Sequence, residues 1–246
     1  MATRLATALA TLSLAAGLAQ AYTPVDMSSV ANTRFNNGQF AGSGLFPTGS
    51  PTVTLDGVPY LMPADSDHMW SSSFAAGYGG VRSVQIPVGL YGVRSVFTLM
   101  GTQLGEAVAG SFASIMFFGS SGEVVWRPLD GGAEIRDYTG ATTYPVPLNT
   151  AVTEEVWSTG SGADRQRIDR QRFALPASFA HQTLDSVLLV DTGSSSVQRV
   201  FIGALTVQAG PVPEPQTWAL QALGLLAVAT AVRQRRRPAA PALQTA

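Results

Sequence analysis

The sequence predicts an all-β protein, an antiparallel β-sandwich of the jelly-roll type, with an N-terminal signal helix and a C-terminal transmembrane helix added to it. Residues 22–210 consist of short runs rich in β-branched and aromatic residues, which Gly, Ser, Asn and Pro separate. Apolar and polar residues alternate over 94–99 and 197–207, as on strands with one buried face. No window of this region keeps a helical period. About nine strands at this spacing favour two packed antiparallel sheets.

Composition excludes several kinds of active site. The chain has 246 residues, and its 15 basic residues are all arginines, with no lysine and no cysteine. It therefore cannot contain a phosphate-loop lysine, a Schiff-base lysine, a cysteine nucleophile, a thiolate metal site or a disulfide. Hydrophobic residues make up 46% of the chain and charged residues 13%, and the apolar residues are concentrated at the two ends.

The first 21 residues have the pattern of a secretory signal peptide. Arg4 precedes an apolar run over 5–18, and Ala19 and Ala21 form an Ala-x-Ala site that predicts cleavage after Ala21. A membrane anchor or a buried helix is the alternative, but the polar, proline-containing stretch that begins at Tyr22 argues against both. The exported domain is therefore predicted to cover residues 22–210.

Nine runs of the exported domain are predicted as strands. Turn pairs such as Asp56-Gly57 and Thr192-Gly193 separate them. In chain order the predicted strands cover residues 52–55, 81–88, 93–100, 113–118, 123–129, 133–138, 170–175, 186–190 and 200–207.

The C-terminal segment has a different composition from the domain. A box of Val212, Pro213, Glu214 and Pro215 comes first, and an apolar stretch over 218–232 follows it. This stretch would form about 23 Å of helix, somewhat less than the ~30 Å of a bilayer core. Trp218 at one border and the arginines at the other would anchor it, with the basic end in the cytoplasm. These arginines are Arg233, Arg235, Arg236 and Arg237. A core helix is the alternative, but core helices do not usually end in a basic cluster at a chain terminus.

The box, the apolar stretch and the arginine cluster together resemble the PEP-CTERM sorting signal of Gram-negative bacteria, over residues 212–237. In that family an exosortase, a membrane-embedded cysteine transpeptidase, recognises the box and removes the tail during export. The resemblance implies that residues 213–215 are the recognition box, 218–232 the transient anchor and 235–237 the stop signal. Gln216 stands where the family commonly has Ser or Thr, and residues 238–246 extend past the usual end as a predicted disordered tail. The sorting segment is thus assigned to residues 211–237.

Short motifs of the domain carry a second family likeness. Residues 96–102 read VFTLMGT, residues 171–176 read QRFALP and residues 188–193 read LLVDTG. With 115–118, 134–138 and 198–207 they resemble bacterial extracellular domains of the galactose-binding-like sandwich class. The resemblance covers about 90–207. It implies carbohydrate binding only by analogy, because a fold does not fix a function.

One loop combines carboxylates, an imidazole and an indole within six residues. Asp65 and Asp67 could supply oxygen ligands to Ca²⁺, with His68 beside them, and Trp70 could stack on a sugar ring. The alternative is a solvated loop whose tryptophan packs onto the sandwich. No cofactor is predicted, and a structural Ca²⁺ is the one exception left open.

Patterns for catalysis are incomplete. The motif Asp191-Thr192-Gly193 is similar to an aspartic-protease turn, but there is no second copy, and too few residues follow it for a one-motif enzyme. A hairpin turn is therefore favoured. His68 and His181 are the only histidines, and neither Gly-x-Ser-x-Gly nor His-Glu-x-x-His is present.

Two carboxylate pairs, Glu134 with Asp137 and Glu154 with Glu155, are of the kind that glycosidases use. Neighbours on a strand face opposite ways, so Glu154 and Glu155 would not act together there. We predict no catalytic residue.

The run over 164–172 holds four of the ten arginines of the domain. It could contact an anionic polysaccharide, and a solvated strand face is the alternative. Two aspartates interrupt the run and no aromatic series accompanies it, so nucleic acid is not an expected partner. Trp126 and Trp157 are expected in the core, with a sugar platform as the alternative for each.

Taken together, the patterns predict an exported protein of a Gram-negative bacterium that an exosortase processes. It would pass through an inner-membrane intermediate and finish at the cell surface or in the extracellular matrix. The predicted partners are the exosortase and the secretion machinery, the membrane before processing, and an exopolysaccharide. We expect no catalysis, and an extracellular glycan-active hydrolase is the alternative.

Overall fold

Twelve β-strands account for most of the chain that the computed structural model describes, which is residues 21–36, 46–49, 51–74, 80–103, 111–139, 151–162, 165–192, 199–210 and 223–228. Two short 3-10 helices lie at Ser72–Phe74 and Ala177–His181. The strands are β1 (Ala21–Pro24), β2 (Thr52–Leu55), β3 (Val58–Leu61), β4 (Trp70–Ser71), β5 (Arg82–Tyr91), β6 (Val93–Gln103), β7 (Ser111–Gly119), β8 (Val124–Asp130), β9 (Thr153–Thr159), β10 (Gln166–Ala174), β11 (Thr183–Asp191) and β12 (Arg199–Ala209).

The strands form two main antiparallel sheets and one hairpin. A six-stranded sheet has the order β1-β12-β6-β10-β9, and the short β4 also pairs with β12. A four-stranded sheet has the order β5-β11-β7-β8, and β2 pairs with β3. All pairings between these strands are antiparallel. The predicted all-β, antiparallel sandwich is therefore confirmed at this level.

The first core lies between the two sheets. Alternate residues of β5, β7 and β11 point into it, among them Ile86, Ile115 and Leu189, each fully buried. β6 and β12 face them with residues such as Val96 and Leu205. This alternation is the reason why β5 reads as a strand in the sequence, since its polar residues face outward.

A second core covers the other face of the six-stranded sheet. The β2–β3 hairpin and nearby residues contribute Tyr60 and Met62, which pack with Leu99 of β6 and Phe201 of β12. β6 and β12 are thus buried on both faces, so the alternation over 94–99 and 197–207 does not mark strands with one exposed face. The backbone of β12 lies so close to this core that a Cβ on Gly203 would be 2.6 Å from the ring of Phe35.

The predicted strand over 133–138 is wrong. Residues 132–134 form a turn, in which Gly132 donates to the carbonyl of Ile135 at 2.7 Å. The following residues insert between β6 and β10, with which their backbone forms isolated bridges rather than a strand ladder. One bridge joins Asp137 to Thr102 of β6, and another joins Thr139 to Gln166 of β10. The buried apolar residues of this segment enter different cores, Ile135 the first and Tyr138 the second, so the alternating pattern does not reflect one strand face.

Four strands have no counterpart in the prediction. β1, β3 and β4 are too short for a clear period, at four, four and two residues. β9 is an edge strand with the sequence TEEVWST, in which charged residues occupy neighbouring positions and hide the alternation. The other predicted strands correspond to observed ones, most of which extend beyond the predicted bounds.

The chain divides into two compact units, residues 1–211 and 212–246. In the second unit residues 223–228 are helical, within the predicted span 218–232, and Leu223, Leu225, Leu226 and Val228 are exposed there. Within the described part of the chain, no helix is long and apolar enough to cross a membrane.

Several predicted features lie outside the described residues, and they stay predictions. They are the signal helix with Ala19, the box at 212–215, the remainder of the span with Trp218, the arginines 233 and 235–237, and the tail 238–246.

Gln171 ties the strands together where β6 and β10 separate. Backbone pairing between these strands ends at Arg170 opposite Leu99, and the fully buried Gln171 side chain takes over. Its Oε1 accepts from the Met100 amide and the Thr98 hydroxyl, both at 3.0 Å. Its Nε2 donates to the carbonyls of Met100 and Glu134, both at 3.1 Å. One side chain thus satisfies four buried polar groups.

We expect Gln171→Leu to lower the free energy of unfolding by about 3 kcal/mol or more, because it leaves buried backbone groups without partners at ~1–3 kcal/mol each. Urea unfolding followed by circular dichroism would measure this. Gln85→Leu is the matched control, since Gln85 is exposed and bonds only Ser186 Oγ, at 2.9 Å. A loss below about 1 kcal/mol for Gln171→Leu would contradict the anchoring role.

Candidate functional site

The four residues of the predicted ligand loop lie in two different environments. Asp65 and Asp67 are exposed, whereas His68 and Trp70 are 4% and 5% exposed. The Arg34 guanidinium donates to the Asp65 carbonyl at 3.0 Å and lies 4.0 Å from the Asp67 carboxylate. The structure therefore does not bring the four side chains together. Among the described residues, no group of three or more His, Asp or Glu side chains is placed to hold a metal ion.

Trp70 cannot serve as a sugar platform from its position. It lies on β4 opposite Ile202 of β12, and its ring belongs to the core between the sheets. A stacking platform needs a ring face open to solvent. The sequence alternative, a tryptophan packed onto the sandwich, describes this residue correctly.

His68 is held as a neutral, buried imidazole. Its Nδ1 donates to the carbonyl of Ser66 at 3.1 Å, and its ring centroid lies 5.8 Å from that of Phe35. Burial lowers the pKa of His68, and the bond to Ser66 and the charge of Asp67 oppose this only in part. The folded state thus disfavours the charged ring.

This burial makes stability depend on pH. As the pH falls below about 6.5, the unfolded chain binds the proton before folded His68 does, so the free energy of unfolding decreases towards the depressed folded pKa. We expect His68→Asn, which cannot be protonated there, to lose less stability between pH 7 and pH 5 than the wild type. The slope for one such group is at most about 1.4 kcal/mol per pH unit. Urea unfolding at several pH values would measure it.

His181→Gln is the control, because His181 is exposed. It should keep the wild-type pH dependence. An NMR titration that places the pKa of His68 in the folded wild type at or above 6.5 would contradict the prediction.

Asp191 is a structural link between the sheets. Its carboxylate is 3% exposed and accepts from Ser72 Oγ at 2.6 Å and from the amide of Val200 at 3.3 Å. It therefore ties the end of β11 to β12 of the other sheet. Gly193, the third residue of the motif, lies outside the described residues.

Part of the charged run over 164–172 is engaged in ion pairs with residues outside it. Arg136 donates to both Asp169 oxygens, at 2.6 and 2.7 Å, and to Glu155 at 2.8 Å. Burial raises the pKa of Asp169, and the bonds from Arg136 oppose this shift. Of the four arginines of the run, Arg165 and Arg170 are therefore ion-paired, whereas Arg167 and Arg172 form no ion pair with a described carboxylate.

Glu154 contacts a different arginine from Glu155, namely Arg170, which also bonds Asp56 Oδ2 at 2.8 Å. The two glutamates are thus engaged separately, as their neighbouring positions on a strand predict. Of the other predicted pair, Asp137 accepts from the Thr139 amide at 2.8 Å, and Glu134 accepts from the Asp130 amide at 3.1 Å.

A cleft of about 420 Å³ opens at the edge of the sandwich, between β8 of the smaller sheet and β10 of the larger. Its lining includes Arg127, Pro128, Glu134, Val152, Arg172 and Phe173. Pairing of β10 with β9 runs as far as Gln171, and the Arg172 amide still donates to the Val152 carbonyl at 2.7 Å; beyond that point no described strand pairs with β10 on this side. Glu134 is the one carboxylate among its lining residues.

The two cleft arginines are exposed and form no ion pair with any described carboxylate. Arg127 Nη1 donates to the carbonyl of Trp126 at 3.3 Å. The guanidinium carbon of Arg172 lies 5.7 Å from the centroid of the Phe97 ring. These contacts hold the side chains in place without neutralising them. The cleft is therefore chemically suited to bind an anion.

Trp126 is exposed, contrary to the expectation that it belongs to the core. It is 54% exposed on the outer face of β8, with Val124, 51% exposed, two positions before it. Both faces of β8 carry apolar residues, since Val125 and Leu129 fill the inner one, so the sequence pattern did not distinguish them. Trp157 is partly buried, with its ring 5.3 Å from that of Phe46, as expected.

Compared with models of protein families, with curated proteins and with solved structures, the chain matches none of them. Its function therefore has to be inferred from its residues and their geometry.

Proposed function

We propose that this protein is an exported surface or extracellular-matrix protein of a Gram-negative bacterium, which an exosortase cuts at the Pro213–Pro215 box. Its β-sandwich has no catalytic role and associates with exopolysaccharide. The observation that carries the proposal is the order of features along the chain. An Ala-x-Ala site precedes the sandwich, and a Pro-Glu-Pro box, an apolar stretch and an arginine cluster follow it.

The placement of the domain boundaries supports both cuts. Ala21, after which the signal cleavage is predicted, is the first residue of β1, and it pairs with Ala209 at the end of β12. The first compact unit ends at Pro211, just before the box. Removal of the two ends would therefore leave residues 22–24 of β1 and the whole of β12 in the sheet.

The order of the strands in the two sheets supports the assignment of the sandwich as a jelly roll. The sheet orders β1-β12-β6-β10 and β5-β11-β7-β8 correspond to the two four-stranded halves of a jelly roll, with β9 added at an edge. The galactose-binding-like class to which the sequence is similar has this architecture. The class favours a sugar as ligand by analogy, and the open cleft at the β8 edge gives a place for it.

The glycan hydrolase alternative has less support. Hydrolysis of a glycosidic bond normally requires two carboxyl groups about 5–10 Å apart on either side of the substrate. Glu134 is the one acidic residue in the lining of the cleft, so the second carboxyl group is missing there. Its Oε2 already accepts a hydrogen bond from the Asp130 amide. A binding role for the cleft is therefore favoured over catalysis.

Intact-mass spectrometry of the mature protein from its native host tests the processing. We expect an N-terminus at Tyr22 and a C-terminus within residues 212–216, because both signals would have been used. Pro215→Ala should keep the tail attached, since it removes one of the prolines that hold the box extended. Pro211→Ala, just outside the box, is the matched control and should be processed like the wild type.

A wild-type protein that ends at Ala246 in a host with an active exosortase would overturn the processing claim. Co-sedimentation of the mature protein with the exopolysaccharide of the same host tests the association separately. Recovery of the protein only in the soluble fraction would count against that part.

A further inference from the structure

The β8 edge combines an exposed aromatic ring with unneutralised positive charge. Trp126, Arg127 and Pro128 are consecutive residues of β8, and all three are exposed. Arg127 and Pro128 line the cleft, and Trp126 precedes them on the strand. Arg172, near the end of β10, also lines the cleft, and its guanidinium lies beside Phe97 on the second-core face of the larger sheet, so a polymer that crosses this edge passes both arginines. We call these three side chains, Trp126, Arg127 and Arg172, the β8-edge site.

Positive charge is in the minority in this domain. Residues 22–210 contain 15 acidic residues against 10 arginines, so the domain as a whole repels polyanions. Elsewhere, Arg136, Arg165 and Arg170 are each matched by a carboxylate within 2.8 Å. Nonspecific attraction would not hold an anionic polymer on such a domain. Binding would have to be local, at arginines that lack a carboxylate.

The strand geometry places the ring of Trp126 and the guanidinium of Arg127 on opposite faces of the edge strand β8. Successive side chains of a strand point to opposite faces, so Trp126 and Pro128 share the outer face about 6.6 Å apart. Arg127 points towards the cleft, and its Nη1 lies 3.3 Å from the carbonyl of Trp126. A ligand that spans this edge can therefore meet an aromatic face and a cation at once.

We propose that the β8-edge site binds the carboxylate-bearing sugars of an acidic polysaccharide, with one sugar ring on Trp126 and carboxylates on Arg127 and Arg172. Guanidinium groups bind carboxylates through two parallel hydrogen bonds, and indole rings offer an apolar face. A neutral glycan would use the ring but leave both arginines without a partner. The proposal rests on the exopolysaccharide association above and names its chemical class.

Affinity electrophoresis of the full chain through gels that contain polygalacturonate tests the site. Dextran gels supply a neutral polysaccharide, and polyglutamate gels supply carboxylates without sugar rings. We expect retardation by polygalacturonate alone. Arg127→Gln and Arg172→Gln should each weaken it about tenfold, the effect of losing one charge-assisted contact of about 1.4 kcal/mol.

Arg82→Gln is the matched control, because it removes the same charge from β5, the opposite edge strand of the same sheet. It should bind polygalacturonate like the wild type. All the substituted side chains lie at the surface or partly so, and equal urea midpoints would show that the variants are folded.

Tryptophan fluorescence gives a second readout. Of the tryptophans in the described chain, Trp126 is the exposed one, so polygalacturonate should change the emission of the wild type. Trp126→Phe should lose most of that change, whereas Trp157→Phe should keep it, because Trp157 packs on the second core.

Wild-type affinity in both arginine variants would overturn the proposal, as would equal retardation by polyglutamate or no binding to polygalacturonate at all. Retardation by dextran alone would also overturn it while leaving the general association with exopolysaccharide intact. The processing claim is decided by mass spectrometry, which does not depend on any of these results.

Discussion

The burial of β6 and β12 on both faces is the constraint on which the rest of the structure depends. These two strands pair at the middle of the six-stranded sheet, and their residues are buried along almost their whole length. One face is covered by the four-stranded sheet. The other face of the six-stranded sheet is also apolar and has to be buried separately, because apolar area left in water costs about 25 cal/mol per Å². The second core is the result.

Covering the second face places further demands on the chain. The β2–β3 hairpin crosses the sheet, and Thr206 Oγ1 of β12 donates to the Pro59 carbonyl at 2.5 Å. On the same sheet, β6 and β10 separate to admit residues 136–139, which brings Arg136 against Asp169. The separation leaves backbone groups without strand partners, and the Gln171 side chain satisfies those of Met100. The buried ion pair between Arg136 and Asp169 and the buried Gln171 amide are thus both consequences of how the sheet is packed.

This packing also decides which chemical groups remain available at the surface. The sequence suggests Trp70 and His68 as ligand-binding residues, but both side chains are buried. Trp70 belongs to the first core, and His68 lies beside Phe35 of the second core. Two of the four arginines of the run over 164–172, Arg165 and Arg170, pair with carboxylates of β9, and Arg170 also pairs with Asp56. The β8-edge site is left over because β8 is an edge strand and β9 ends before the end of β10. Exposed aromatic and guanidinium groups therefore remain accessible where the sheets end.

The sequence by itself determined the all-β class and most of the long strands, because these depend on local composition and on a period of two, and it carries the order of features on which the sorting proposal rests. It could not determine β9, whose neighbouring charges hide that period, or show that residues 133–138 are wedged between strands. It also misplaced Trp126, since a strand with apolar residues on both faces does not say which face meets solvent. Only the tertiary structure decided that Trp126, Arg127 and Arg172 share one edge, because β8 and β10 belong to different sheets and meet only through packing.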